Sequence, residues 1–116
     1  MNSAQLLEKV LQKTELPVHY YQYDGTQKTY VVYNEVLDQA VNFADNQAQN
    51  RIAWWQVHIF APKRTDFRAH KKKALELLKE AGFRTGDVVT LYEKETQTIH
   101  VVIPCHIEEK EDKENV

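Results

Sequence analysis

Five histidines and one cysteine are the side chains of this sequence that most readily bind metals or act as nucleophiles. The histidines are His19, His58, His70, His100 and His106. Their spacing contains neither an H-x-x-x-H pair nor an H-E-x-x-H motif, which would place zinc ligands on one face of a helix. Three of them, His58, His100 and His106, fall on predicted strands and can meet across a sheet. Strand histidines are usually solvent-facing or hydrogen-bonded, so we predict no metal site.

The cysteine, Cys105, lies near the end of an apolar strand and precedes His106. A cysteine nucleophile needs a base held by a third group and an oxyanion pocket, and the sequence indicates neither. A lone cysteine in such a strand is most often a small buried hydrophobic residue. The three glycines, Gly25, Gly82 and Gly86, fit turns or a helix end and form no phosphate-binding loop. We therefore predict a protein that is not an enzyme and uses no cofactor.

Basic residues cluster in one segment of the chain. They are Lys63, Arg64, Arg68, His70, Lys71, Lys72 and Lys73. The segment is either the solvated half of an amphipathic helix or a patch that meets phosphates or an acidic partner. The net charge of the whole chain is only -2, with 28% charged residues. This balance argues against a dedicated, sequence-specific nucleic-acid binder.

A second polar segment, Asp45, Asn46 and Gln47, is acidic and lies between two strand-rich stretches. It is either an ordinary surface loop or a contact with a neighbouring subunit. An acidic loop and a basic edge on one molecule are complementary. They can pair head to tail and close a ring of identical chains.

Length and composition indicate one domain. The chain has 116 residues, of which 42% are hydrophobic, enough for one real core. No apolar run approaches the roughly 20 residues that span a bilayer, and the first 13 residues do not form a signal peptide. We expect a domain over residues 1–107, a charged disordered tail over 108–116, and folding in the cytosol without a membrane partner.

The pattern of the first half predicts a helix, a hairpin and an extended segment. A helix begins at Asn2 or Ser3 and ends before Pro17. Residues 18–23 and 28–33 are strand-like and flank Asp24-Gly25, so we predict an antiparallel hairpin. Residues 34–50 fit a short helix or a strand extension, and we favour an extended, partly exposed segment.

The second half begins with a strong strand over residues 51–61. Alternation puts Ala53, Trp55, Val57 and Ile59 on one face and Trp54, Gln56, His58 and Phe60 on the other. A helix capped by Asp66 runs to about Ala81, and a hairpin pairs residues 88–93 with 98–105. The fold class is therefore α+β, a mostly antiparallel sheet of four to five strands with two helices on one face. The other face carries Trp54 and Phe60 uncovered, which is typical of an interface.

This pattern resembles the small tail-completion or tail-terminator proteins of long-tailed, non-contractile phages and prophages of Gram-positive bacteria. The resemblance covers about residues 6–107. It rests on element order and on these segments: Pro17-Val18-His19-Tyr20-Tyr21, Tyr30-Val31-Val32-Tyr33, Ala44-Asp45-Asn46-Gln47, Trp55-Gln56-Val57-His58-Ile59-Phe60, Ala74 to Phe83, and Ile99-His100-Val101-Val102-Ile103.

The resemblance implies a structural role. Such proteins form hexameric rings that cap the tail tube, stop its growth and join it to the filled head, first in the host cytoplasm and then in the virion. The implied partners are further copies of the chain, the major tail tube protein and a head-completion or connector protein. A long loop or hairpin reaches toward the tube, and residues 34–50 match it. The candidate interface residues are Asp45, Asn46, Gln47, Trp54, Phe60, Lys63, Arg64 and Arg68.

Two alternatives stay open. One is another head-tail connector or minor capsid protein, because element order alone does not separate such folds. The other is a small enzyme or ligand-binding domain with a pocket lined by Tyr20, Trp54, His58 and His100.

Overall fold

The computed structural model describes residues 2–44 and 47–110. In chain order its elements are α1 (Ser3–Gln12), β1 (Val18–Tyr20), β2 (Tyr30–Ala44), β3 (Gln47–Pro62), α2 (Phe67–Glu80), β4 (Arg84–Thr85), β5 (Val89–Glu93) and β6 (Thr98–Lys110). The strands form one sheet in the order β1-β2-β3-β6-β4, and β5 pairs with β6 beside β4. The predicted α+β class is confirmed. The short strand β4, which was not predicted, brings the sheet to six strands instead of four to five.

Both helices begin and end at residues whose side chains suit those positions. Asn2 and Gln5 form a capping box at the start of α1, in which each side chain accepts a hydrogen bond from the backbone of the other. The Asp66 side chain accepts from the Ala69 N–H and so caps α2. Gly82 follows α2 with φ +97°, the left-handed conformation that glycine adopts without strain.

The core lies between the helices and one face of the sheet. Leu7 and Leu11 of α1 and Leu78 of α2 are fully buried. They pack in one cluster with alternate residues of the central strands: Val31, Tyr33, Ala53, Trp55, Val57, Ile59, Val101, Ile103 and Cys105. The face predicted for β3 by alternation is therefore the core face. The helices cover this face only, which leaves the opposite one, the open face, without a helix among the described elements.

The first predicted hairpin is wrong. β1 pairs with β2 in parallel, with Val18 opposite Val31 and Tyr20 opposite Tyr33. Parallel pairing needs a connection longer than a tight turn, and residues 21–29 supply it as a loop. Asp24-Gly25 lies inside that loop, so the turn signal was correct but the pairing inferred from it was not.

β2 and β3 extend from the core as an arm beyond Glu35 and Trp55, and β6 pairs with β3 as far as Asn50. The antiparallel pairing of β2 with β3 runs from Tyr30↔Phe60 to Ala44↔Gln47, with a bulge between Glu35 and Leu37. Beyond the bulge the Asp38 carboxylate accepts a hydrogen bond from Arg51 Nε at 2.7 Å. The arm contributes to a molecule 54 Å long and 24 Å by 23 Å across. The segment 34–50, predicted to be extended and partly exposed, forms strands of this pair in its described part.

β6 is longer than predicted. It continues to Lys110 and pairs residues 108–110 with Ile52, Arg51 and Asn50 of the arm. These three residues therefore belong to the sheet and not to the predicted disordered tail. Glu109 also accepts a hydrogen bond from the Ser3 N–H at the start of α1. The rest of the predicted tail, residues 111–116, lies outside the described residues.

Candidate functional site

The open face of the sheet carries an apolar and aromatic band. Cross-strand register puts Tyr30, Phe60, His100 and Leu91 in one row and Val32, His58, Val102 and Val89 in the next. Directly opposite residues on neighbouring strands share a face, so these two rows lie side by side on the face that no described helix covers.

Four rings of this band form a continuous stack. Tyr23 lies on Tyr30 with ring centroids 4.2 Å apart, Tyr30 on Phe60 at 4.9 Å, and Phe60 on His100 at 4.2 Å. The interplanar angles are 18–20°. Each such pair stabilises by about 0.5–1.5 kcal/mol beyond the area it buries. The stack therefore ties the loop before β2 to three strands of the sheet.

A histidine pair lies beside the stack. His58 Nε2 is 2.8 Å from Asn34 Oδ1, and His58 Nδ1 is 2.8 Å from His100 Nε2. The Asn34 oxygen can only accept, so His58 Nε2 donates and its Nδ1 accepts from the Nε2–H of His100. This geometry leaves the His58 ring neutral, because its Nδ1 accepts a hydrogen bond.

Burial favours the same neutral state. It lowers the pKa of His58, and the nearby His100 lowers it further. Burial also lowers the pKa of His100, which the Glu93 carboxylate partly offsets. The pair is thus a satisfied hydrogen-bonded element of the sheet, as expected for strand histidines. Among the described residues, no group of three or more His, Cys, Asp or Glu side chains is arranged to hold a metal ion.

Trp54 lies at the other end of the open face, six residues from Phe60 along β3. Six strand residues span about 20 Å. The half-buried Trp54 ring contacts His106 in a tilted arrangement with centroids 4.2 Å apart, and its Nε1 donates to Gln39 Oε1 at 3.0 Å. Trp54 and Phe60 therefore share the predicted face but belong to two separate aromatic clusters.

The ligand pocket considered from the sequence is not assembled. His58 and His100 line a shallow groove of 260 Å³ together with Tyr23, Tyr30 and Phe60. Tyr20 instead contacts Tyr33, a residue of the core face, and Trp54 is at the far end of the sheet. Two of the four side chains proposed for that pocket are thus placed elsewhere.

Cys105 is buried in the core, with 1% of its surface exposed. Burial raises the pKa of its thiol to about 12, so the reactive thiolate is disfavoured at neutral pH. His106, on the next position of the strand, points to the opposite face and contacts Trp54. Cys105 thus fits the role of a small buried hydrophobic residue.

Basic side chains border the end of the open face where Phe60 lies. Lys28, Lys63 and Arg64 line a cleft of 450 Å³ that also includes Tyr30, the ring stacked on Phe60. The predicted interface residues Phe60, Lys63 and Arg64 are therefore close together. Arg68 is exposed on the first turn of α2, on the helix side of the sheet.

The acidic loop is the remaining part of the predicted interface. Asp45 and Asn46 lie outside the described residues. Gln47 begins β3 and pairs with Ala44 at the end of the arm.

The sequence analysis missed a further feature, the exposed residues of β5. Val89, Leu91 and Tyr92 are 48–49% exposed although they lie in a sheet. Their sequence signal was an apolar strand with no charge between Asp87 and Glu93.

Comparisons by sequence identify no family. No family model matches the chain, and no curated protein is significantly similar to it. None of the described helices has the length and apolar character needed to cross a membrane.

Comparisons by structure reveal a shared fold. A chain of the virion of a native gene transfer agent particle has a TM-score of 0.60 with this chain at 12% identity. The match covers 93% of this chain and 91% of that one. A second solved chain matches over 97% of this chain and 98% of its own length, with a TM-score of 0.54 and 14% identity. These likenesses show a common fold over nearly the whole chain.

Proposed function

We propose that this chain is a structural component of a phage-like virion, and more specifically a tail terminator that caps the tail tube and joins it to the head. The observation that carries the proposal is the fold shared over nearly the full length with a chain of a gene transfer agent virion. Both chains are covered almost completely, so the shared fold extends over nearly all of each.

The open face supports a role in assembly. It exposes two aromatic clusters, one around Phe60 and one around Trp54, without a helix of the described chain above them. Apolar faces of this kind usually meet a partner. Basic side chains at one end, Lys63 and Arg64, add a charged rim. A hydrophobic centre with a polar rim is the usual composition of a protein interface.

The arm supports a contact with the tube. Residues 35–39 of its β2 strand are exposed, and its β3 strand is anchored by pairing with β6. A strand pair so anchored can reach past its own subunit without loss of the core. We assign it to the contact with the major tail tube protein, and the opposite surface to a head-completion or connector protein. The assembly would be a hexameric ring, formed in the host bacterial cytoplasm and retained in the virion tail.

The proposal is tested by deleting the gene for this chain from the phage or prophage genome that carries it. We expect tails of uncontrolled length and filled heads without tails, because nothing stops the tube or joins it to the head. Electron microscopy of lysates measures both. Complementation with the unchanged gene should restore joined particles of uniform tail length. Normal particles after deletion would refute the structural role, and short uniform tails with empty heads would indicate the alternative, a head connector.

A further inference from the structure

The sheet has two open margins. On one side β1 covers only Val31 to Tyr33 of β2, and no described strand pairs with the outer edge of β2 beyond that point. On the other side β5 pairs only with β6, so its outer edge is also open. The margins lie at opposite ends of the strand order. Open strand edges present unpaired backbone donors and acceptors to a further strand.

Hydrogen bonds fix which residues of β2 point outward. The Val31 N–H donates to Pro17 O, and Tyr33 O accepts from the Tyr21 N–H, so these residues face β1. Direction alternates along a strand, which makes Glu35 the next outward residue. The bulge then shifts the register by one. Beyond it Ala40, two positions after Asp38, presents its N–H and C=O to the open side.

The same argument applies to β5. The Gly86 N–H donates to Pro104 O, so the even-numbered residues of β6 face β4 and β5. Leu91 pairs with His100 and is therefore bonded to β6. The alternate residues, Thr90 and Tyr92, direct their N–H and C=O groups outward.

Exposed apolar side chains concentrate on these margins. Among the described residues seven large hydrophobic side chains are exposed, and five of them lie on β2 or β5: Val36, Leu37, Val89, Leu91 and Tyr92. Natural edge strands are usually protected by lysine, proline or a covering loop. The stretch from Val89 to Tyr92 has no charged residue and no proline. This edge therefore lacks the usual protection and is suited to pairing with a further strand.

The two margins match when the faces of the sheet are taken into account. On the open face Leu37 lies at one margin and Leu91 at the other, because each shares a row with an open-face residue of the central strands. Joining margin to margin would therefore place apolar side chains next to each other on the open face.

We propose that β5 of one copy adds to the outer edge of β2, around residues 35–40, in the next copy, so that one sheet continues from subunit to subunit. Such a contact is heterologous, and repeated by rotation it closes a ring. The inference names the interface of the ring proposed above and rests on that function for its purpose, although the pairing itself is measurable on the isolated chain.

Amide hydrogen exchange followed by NMR at increasing protein concentration tests the pairing. The amides of Thr90, Tyr92, Glu35 and Ala40 should gain protection together, by about tenfold or more, as the chain associates. The amide of Leu91, already bonded to β6, is the internal control and should be protected at every concentration. Protection confined to Thr90 and Tyr92 would mean that β5 pairs with itself and would overturn the proposal. So would a chain that stays monomeric at its highest soluble concentration.

Two variants complete the test by sedimentation. Thr90→Pro removes an outward N–H and should weaken association about tenfold or more, whereas Thr90→Val should not. Leu91→Lys keeps every backbone hydrogen bond and adds the charge that protects natural edges, so it too should weaken association. Association unchanged in both Thr90→Pro and Leu91→Lys refutes the pairing but leaves the terminator function standing. A deletion without effect on particles refutes the function but leaves the measured pairing intact.

Discussion

Adjacent tryptophans of β3 occupy opposite environments. Trp55 is 2% exposed in the core, and its Nε1 donates to Ser3 Oγ at 3.1 Å. Trp54 is half-buried on the open face and contacts His106 and Gln39. One side chain therefore holds α1 on the sheet, and the other is available to a partner.

Alanine at these two positions should separate folding from assembly. Trp55→Ala leaves a cavity and removes a buried hydrogen bond, so we expect a loss of about 3–5 kcal/mol of unfolding free energy. Trp54→Ala should cost no more than about 1 kcal/mol but reduce self-association, and Phe60→Ala should act in the same direction. Urea unfolding followed by circular dichroism measures the first quantity and sedimentation the second. If Trp54→Ala unfolds the chain and Trp55→Ala leaves its stability unchanged, the two faces of β3 have been assigned the wrong way round.

The histidine pair makes stability depend on pH. Both pKa values are lowered in the folded chain, whereas the unfolded histidines keep the ordinary value of 6.5. Below pH 6.5 the unfolded state therefore binds more protons than the folded state. We expect full stability above pH 6.5, a decline as the pH falls below it, and a plateau once His58 and His100 themselves become protonated.

Urea midpoints at pH 7.5 and at lower pH values measure this dependence. His58→Gln should reduce the decline, and the same change at the exposed His19 serves as the matched control. An equally steep decline in the His58→Gln variant would show that other groups cause the loss of stability.

At the scale of elements, the sequence predicted helices and central strands well. Caps at Asn2 and Asp66, the glycine after α2 and the two-residue period of β3 are local signals, and each was confirmed. Strand pairing is a long-range property and was predicted less well. The parallel register of β1 with β2 and the reach of β6 to Lys110 both depend on tertiary packing.

The loop between β1 and β2 shows why its sequence was misleading. The side chain of Tyr23 folds over Gly25, and its hydroxyl accepts a hydrogen bond from the Gln27 N–H at 2.9 Å. The same ring stacks on Tyr30. Gly25 is therefore needed for close approach of an aromatic ring and not for a two-residue hairpin turn.

Gly25→Ala should disturb this loop because the added Cβ would overlap the Tyr23 side chain. We expect a loss of about 1–3 kcal/mol of unfolding free energy, the usual cost of overpacking, and a shift of the Tyr30 ring signals in NMR. Thr26→Ala, in the same loop, is the control and should leave both unchanged. A Gly25→Ala variant with wild-type stability and ring signals would mean that the Tyr23 ring does not pack there.

At the scale of the whole molecule, one compact core supports two surfaces that its own helices do not cover. The open face bears two aromatic clusters, and the sheet ends in two open strand margins at opposite sides. A chain of a gene transfer agent virion shares this fold. In the function that we propose, both surfaces form contacts of a ring in a particle. The exposed margins could not be derived from the sequence, because a strand is an edge only once the order of the sheet is known.

The central claim is that the chain belongs to the junction between a tail tube and a head. Immunogold electron microscopy of purified particles, with an antibody against the chain, tests it most directly. The account predicts label at one place, the head-proximal end of the tail, on every joined particle. Label along the tube, label over the capsid shell or particles without label would contradict it.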